Sequence, residues 1–144
     1  MTDVVRPGPA SPASAEPHSA DHYSDRALDH LTRPRNVGTL ASPSGTGSDA
    51  NPSCGDRTTM TVRIADGRVA ELRFRTFGCT AAIAAASVLT ELAAGSPVDA
   101  AARLEPADIL NALGGLPPRK EACALMAVGA LRAALLDARV RATV

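Results

Sequence analysis

Three cysteines and one aspartate carry the reactive chemistry of this chain. Cys79 follows an alternating stretch (Leu72, Phe74, Thr76) through Phe77-Gly78 and stands at the start of an Ala-rich helical pattern. A helix start presents unpaired N–H groups and the positive end of the dipole, which favours a thiolate there. Cys123 repeats the arrangement, with Arg119 and Lys120 just before it, so it too is expected to ionise easily. Cys54-Gly55-Asp56 is the second landmark, where the intervening glycine lets the backbone bend and both side chains face one point. Thiolates suit zinc and iron–sulfur sites, and three cysteinates with one carboxylate make a tetrahedral donor set. The expectation is a single site of Cys54, Asp56, Cys79 and Cys123. One hard oxygen among the sulfurs weakens hold on a soft metal, which suits a cargo that must be handed on. The wide spacing of the cysteines is not that of zinc knuckles and argues against structural zinc.

The elements around these residues must bring them together. Thr58–Ile64 alternates as a half-buried strand, Asp66-Gly67 is a hairpin turn, and Val69–Thr76 returns with Val69, Leu72, Phe74 and Phe77 as its apolar positions. The phase slips near Ala70-Glu71, which predicts a bulge. This antiparallel pair puts Cys54 and Asp56 at the same end as Cys79. A short helix over Tyr23–Leu31 is capped by Ser24 and ends before Pro34. Ala41–Ser53, rich in Ser, Gly, Pro and Asn, reads as a loop. Thr80–Ala94 is a helix apolar around most of its surface, so it should be buried, and Gly95 ends it. Pro97 opens a new helix at its first position and Pro106 opens another through Leu113. The last helix, about Arg119–Ala138, follows the stiff Leu116-Pro117-Pro118 and should turn Leu125, Val128, Arg132 and Leu135 to one face.

Composition bounds the function classes. The 144 residues make one domain, 23–144, after a Pro/Ala/Ser-rich tail, 1–22, that is expected to be disordered. The formal charge is zero, aromatics are 2%, and no basic stretch with interleaved aromatics occurs, so nucleic acid is not an expected partner. No apolar run spans a bilayer and the N-terminus has no hydrophobic signal core, so no membrane is expected and the cytoplasm is the expected location. An odd number of distant cysteines is not a disulfide framework. A thiol-nucleophile hydrolase lacks its base: His18, His22 and His30 all precede the strand pair, two of them in the tail. A non-metal module whose cysteines only fill the core would have to place all three at turns or helix starts by coincidence. Glu91 and Arg132 read as ordinary surface charges.

Asp29-His30-Leu31, Pro34-Arg35-Asn36-Val37-Gly38, Cys54-Gly55-Asp56, Thr76-Phe77-Gly78-Cys79 and Leu116-Pro117-Pro118-Arg119-Lys120 with Cys123 occur in order. Together they resemble the NifU/IscU-type iron–sulfur cluster assembly scaffolds over about residues 23–138. The resemblance implies an α+β fold, a small antiparallel sheet, usually three-stranded, packed against several helices. Its third strand would have to come from the segment before Cys54. It further implies a scaffold and sulfur acceptor rather than an enzyme. Persulfide sulfur from a cysteine desulfurase would reach Cys123, and a transient [2Fe–2S] cluster would form with iron on Cys54, Cys79 and Cys123 beside Asp56. The cluster would then pass to recipient apo-proteins, and zinc can occupy such a site. Leu116–Lys120 would be the grip of an Hsp70-type chaperone, although Arg119 stands where the family has Val. Ala122 replaces the His that often precedes the third cysteine, leaving Asp56, Glu121 or water to complete the coordination. The rival within the family is a zinc-dependent persulfide sulfurtransferase of the SufU kind. Those proteins usually carry an insertion between the second and third cysteines, whereas the gap from Cys79 to Cys123, 44 residues, matches the uninserted scaffold form.

Overall fold

Strand alternation, helix caps and two bare glycines set the architecture. The computed structural model of the chain describes residues 23–52 and 55–142. In chain order the elements are α1 (Asp25–Thr32), β1 (Gly45–Asn51), β2 (Asp56–Ala65), β3 (Arg68–Phe77), α2 (Thr80–Ala93), α3 (Val98–Ala102), α4 (Pro106–Leu113), a single 3-10 turn (Pro118–Lys120) and α5 (Ala122–Ala142). The strands form an antiparallel sheet in the order β1-β2-β3. Cys54, His18, His22 and the 1–22 tail lie outside the described residues.

The hairpin forms as its alternation predicts. Thr58, Met60 and Val62 on β2 point inward opposite Thr76, Phe74 and Leu72 on β3. The register shifts between Arg63 and Ile64, whose partners are Glu71 and Val69, so Ala70 is the extra residue of a bulge. Phe77 corrects the strand assignment. It lies one step out of phase with Thr76 and Phe74, and its ring is 80% exposed on the outer face.

β1 corrects the reading of Ala41–Ser53 as loop, and gives the third strand that the family resemblance implied. Gly-Thr-Gly-Ser-Asp-Ala-Asn has no apolar alternation because its inward positions must be empty. A Cβ on Gly45 would strike the backbone of Ala134 and Ala138, and one on Gly47 the backbone of Ala130 and Ala134. The strand therefore rests directly on α5, glycine against alanine, and only Gly permits that approach. Asp137 on α5 accepts a hydrogen bond from the Thr46 N–H at 2.9 Å, covering part of an otherwise open sheet edge.

α2 packs on β3 and α5 on β1 and β2, so one face of the sheet carries the core. The expected burial of α2 is observed, from Ala81 and Ala82 through Val88, Leu89 and Ala93. Pro97 is the residue before α3 rather than its first, while α4 begins at Pro106 and closes on Gly114 in the left-handed conformation. α5 starts three residues later than expected and faces differently. Val128 and Leu135 are buried with Ala124, Ala127, Leu131 and Ala134, but Leu125 and Arg132 point to solvent. An all-round Ala/Leu helix offers no polar stripe to fix its rotation, so the glycine strand sets it instead.

The Asp29–Asn36 motif is a staple between α1 and α2. His30 Nδ1 lies 2.7 Å from Ser87 Oγ, the Arg35 N–H donates to the same oxygen at 2.9 Å, and Asn36 Nδ2 donates to Thr90 Oγ1 at 3.0 Å. Arg35 pairs with Asp29 at 2.6 Å, and Glu91 faces both His30 Nε2 (3.4 Å) and Arg35. Glu91 is thus part of this staple rather than a free surface charge. Arg132 likewise pairs with Glu105 at 3.3 Å and donates to the Leu104 carbonyl.

Candidate metal centre

Asp56 opens β2, Cys79 caps α2 and Cys123 is the second residue of α5, so three different elements deliver the donors to one end of the sheet. One carboxylate oxygen and the two sulfurs all lie within 4.8 Å of one another. The sulfurs of Cys79 and Cys123 are 3.6 Å apart, too far for a bond, and both thiols are free. The sequence expectation that Asp56, Cys79 and Cys123 converge is met in geometry. Cys54, outside the described residues, precedes Asp56 by two positions in the chain. Glu121 is exposed and is not among the gathered donors.

Asp56 carries the clearest sign of a missing partner. The residue is 6% exposed, and Oδ2 is buried without a hydrogen-bond donor among the described residues. A buried acceptor left unpaired is costly, and folds rarely retain one without a ligand, ion or water to satisfy it. Gly78 makes room for it. With φ at +150° it lies in the region that favours glycine, and a Cβ there would overlap the Asp56 carboxylate. The sequence showed Gly78 as a loosened turn; that its emptiness shelters Asp56 becomes visible only with the strands paired. Behind Asp56, Thr58 Oγ1 and Thr76 Oγ1 meet at 3.0 Å and close the polar end of the inner face.

The electrostatics correct the expectation that Cys123 ionises easily. Burial pushes its thiol up to about 12, helped by the neighbouring Cys79 sulfur and then the Asp56 carboxylate, and Lys120 only partly offsets them. The helix-start argument fails because desolvation and like-charge crowding outweigh one dipole end. A cation at the centre reverses that balance, since the same crowding of anionic donors then becomes attraction. Two soft sulfurs and an unsatisfied carboxylate oxygen fit zinc or iron as a donor set.

Among the described residues no histidine stands with the two thiols as a base. His30, the histidine within the described residues, is buried and engaged with Ser87 and Glu91. Among the described residues no helix is long and apolar enough to cross a membrane.

Residues 22–143 match the family described as NifU-like N terminal domain. The chain is 43% identical over 115 residues to iron-sulfur cluster assembly scaffold protein IscU 1 of Archaeoglobus fulgidus, covering 80% of this chain and 75% of that one. It is 34% identical over 145 residues to iron sulfur cluster assembly protein 2, mitochondrial, of Saccharomyces cerevisiae, covering 92% of each. Among solved structures it superposes on the SUF-system protein FiSufU of Fervidobacterium islandicum AW-1 with a TM-score of 0.67 at 20% identity, covering 83% of this chain and 99% of that one. That last likeness concerns the fold alone, and it matches the three-stranded sheet with its five helices.

Proposed function

The chain belongs to the NifU-like N terminal domain family, and on that premise we infer that it is an iron–sulfur cluster assembly scaffold rather than a catalytic enzyme. The observation that carries the reading at the residue level is the buried, partnerless Oδ2 of Asp56 beside two free thiols. Three sulfurs and this oxygen are proposed as the cluster's ligands: Cys54, Cys79, Cys123 and Asp56. The cluster is cargo, assembled as a [2Fe–2S] unit from iron and from sulfur that a cysteine desulfurase delivers as persulfide. Cys123 is the proposed persulfide acceptor. Its neutral, protonated thiol must lose a proton before its sulfur can attack, and Lys120 is the nearby cation that favours the loss. Recipient apo-proteins take the finished cluster.

An Hsp70-type chaperone is proposed to grip Leu116–Lys120. Leu116 and Pro117 are buried while Pro118 and Arg119 are exposed, so a full grip requires the segment to swing out. That movement would pull on the start of α5, which carries Cys123. The cytoplasm is the proposed location, consistent with reduced thiols.

Anaerobic incubation with ferrous iron, cysteine and a cysteine desulfurase tests the reading. A scaffold develops the visible absorption of a [2Fe–2S] species, and Cys54→Ser, Cys79→Ser and Cys123→Ser each abolish it. A colourless protein that keeps one zinc and passes persulfide onward would instead establish the SufU-type sulfurtransferase.

A further inference from the structure

The outer face of the sheet offers a charged surface that the assembly reading leaves unused. Arg57 on β2 stands directly opposite Phe77 on β3, and Thr59 opposite Arg75. All three of Arg57, Arg75 and Phe77 are exposed, since their inward neighbours Asp56, Thr58 and Thr76 take the other side. Strand geometry places Arg57 about 5 Å from Phe77 at Cβ, with Arg75 about 7 Å further along β3. The chain crosses this face between β3 and β1, where the Leu40 N–H donates to Thr61 Oγ1 at 3.0 Å. That crossing splits the face in two. On the far half, Arg63 and Arg73 both face Glu71. On the half next to the metal centre, Arg75 Nε donates to the Thr39 hydroxyl at 3.1 Å, and among the described residues no carboxylate pairs with Arg57 or Arg75.

We propose that this half-face is a docking surface for an acidic protein, with Arg57 and Arg75 meeting carboxylates around the exposed ring of Phe77. Guanidinium forks match carboxylates bidentately, and Arg beside an aromatic ring is the composition of interface hot spots. Nucleic acid is the poorer occupant. Affinity for a duplex rests on many phosphate contacts, and two unpaired arginines on a chain of zero net charge supply few. Phe77 lies two residues before Cys79, so a protein seated here stands at the rim of the donor cluster. The proposal rests on the scaffold reading and deepens it: the partner is a recipient apo-protein with an acidic surface.

The test uses the apo form of an acidic [2Fe–2S] ferredoxin as probe recipient. Cluster loading is first measured by visible absorption for the wild type, for Arg57→Glu/Arg75→Glu, and for a charge-matched control, Arg103→Glu/Arg139→Glu, whose sites lie just after α3 and on α5. Transfer rates are then taken between 50 and 500 mM NaCl, and binding of the metal-free proteins to the same probe is measured by calorimetry. The expected result is equal loading, wild-type transfer that slows with salt, a loss of at least tenfold at 50 mM in Arg57→Glu/Arg75→Glu, and a control within twofold of wild type. Equal transfer and equal binding in the two double variants overturn the docking proposal. So does tighter binding of the metal-free wild type to a duplex DNA than to the ferredoxin at 150 mM NaCl. A wild type that never loads overturns the scaffold reading instead, and the calorimetry still decides whether the face docks the probe.

Discussion

Replacing Asp56 by alanine should have opposite effects on the empty and the loaded protein. In the metal-free chain the substitution removes a buried oxygen that has no donor, whose desolvation costs about 1–3 kcal/mol. The small void left behind costs about 1 kcal/mol. The net gain of about 1 kcal/mol corresponds to a rise in Tm of roughly 3–5 °C for a domain of this size. Zinc affinity should move the other way. Loss of an outer partner of a metal ligand already weakens a site about 10–100-fold, so loss of a ligand should cost at least about tenfold. At a zinc concentration about one hundred times the wild-type Kd, the metal stabilises the wild type by about 2.7 kcal/mol and the variant by about 1.4 kcal/mol. Calorimetric melts in chelator and in zinc read both numbers, with chelator competition giving the affinity directly. A metal-free Asp56→Ala protein less stable than wild type, with unchanged zinc affinity, would refute the reasoning that Asp56 is kept for a ligand.

Three further outcomes follow from the packing and the charges. Gly78→Ala puts a Cβ onto the Asp56 carboxylate at a φ that side chains rarely adopt, so zinc affinity should fall at least about tenfold while circular dichroism stays native; unchanged affinity would show that the close contact has no bearing on the site. Gly47→Ala drives β1 off the backbone of α5 and should lower stability by about 3 kcal/mol or more in urea titration, an amount that a freely adjusting helix would not show. The His30 ring is held below its usual 6.5 first by burial and then by Arg35, against the opposing pull of Glu91 and Asp29. Because the unfolded chain takes up that proton first, stability is full above about pH 6.5 and declines as pH falls from there through the lowered folded value. Urea midpoints at pH 7.5 and 5.5 should show that decline in the wild type and a smaller one in His30→Gln.

The hairpin, α2 and α4 were legible in the sequence because each carries a local signal: Asp66-Gly67 at the turn, Cys79 before an alanine run, and Pro106 and Gly114 at the helix ends. The phase slip at Ala70 even disclosed the bulge. β1 was not legible from its own residues, because a strand built to lie against a helix backbone must lack the side chains that announce a strand. The facing of α5 was lost for the same reason, since its rotation is fixed by Gly45 and Gly47 far away in the chain. At the site, hairpin topology put Asp56 at the same end as Cys79, whereas Cys123 entered the expected site only as a further thiol at a helix start. The high proton affinity of Cys123 was not legible, because it depends on neighbours that only tertiary structure brings near. The triad of Asp29, His30 and Arg35 was visible as a motif, yet its partners Ser87, Thr90 and Glu91 sit on a helix whose sequence gives no hint of pairing.

The bare seam between β1 and α5 has a mechanical consequence. With peptide resting on peptide, nothing compressible lies between strand and helix, and α5 behaves as a rod clamped to a rail. Advancing that rod by one residue would carry its Cys123 end about 1.5 Å. Any adjustment of the donor cluster therefore falls on the links around the clamp. Gly55 and Gly78, both at positive φ, flank Asp56, and the Leu116–Lys120 segment leads into the rod.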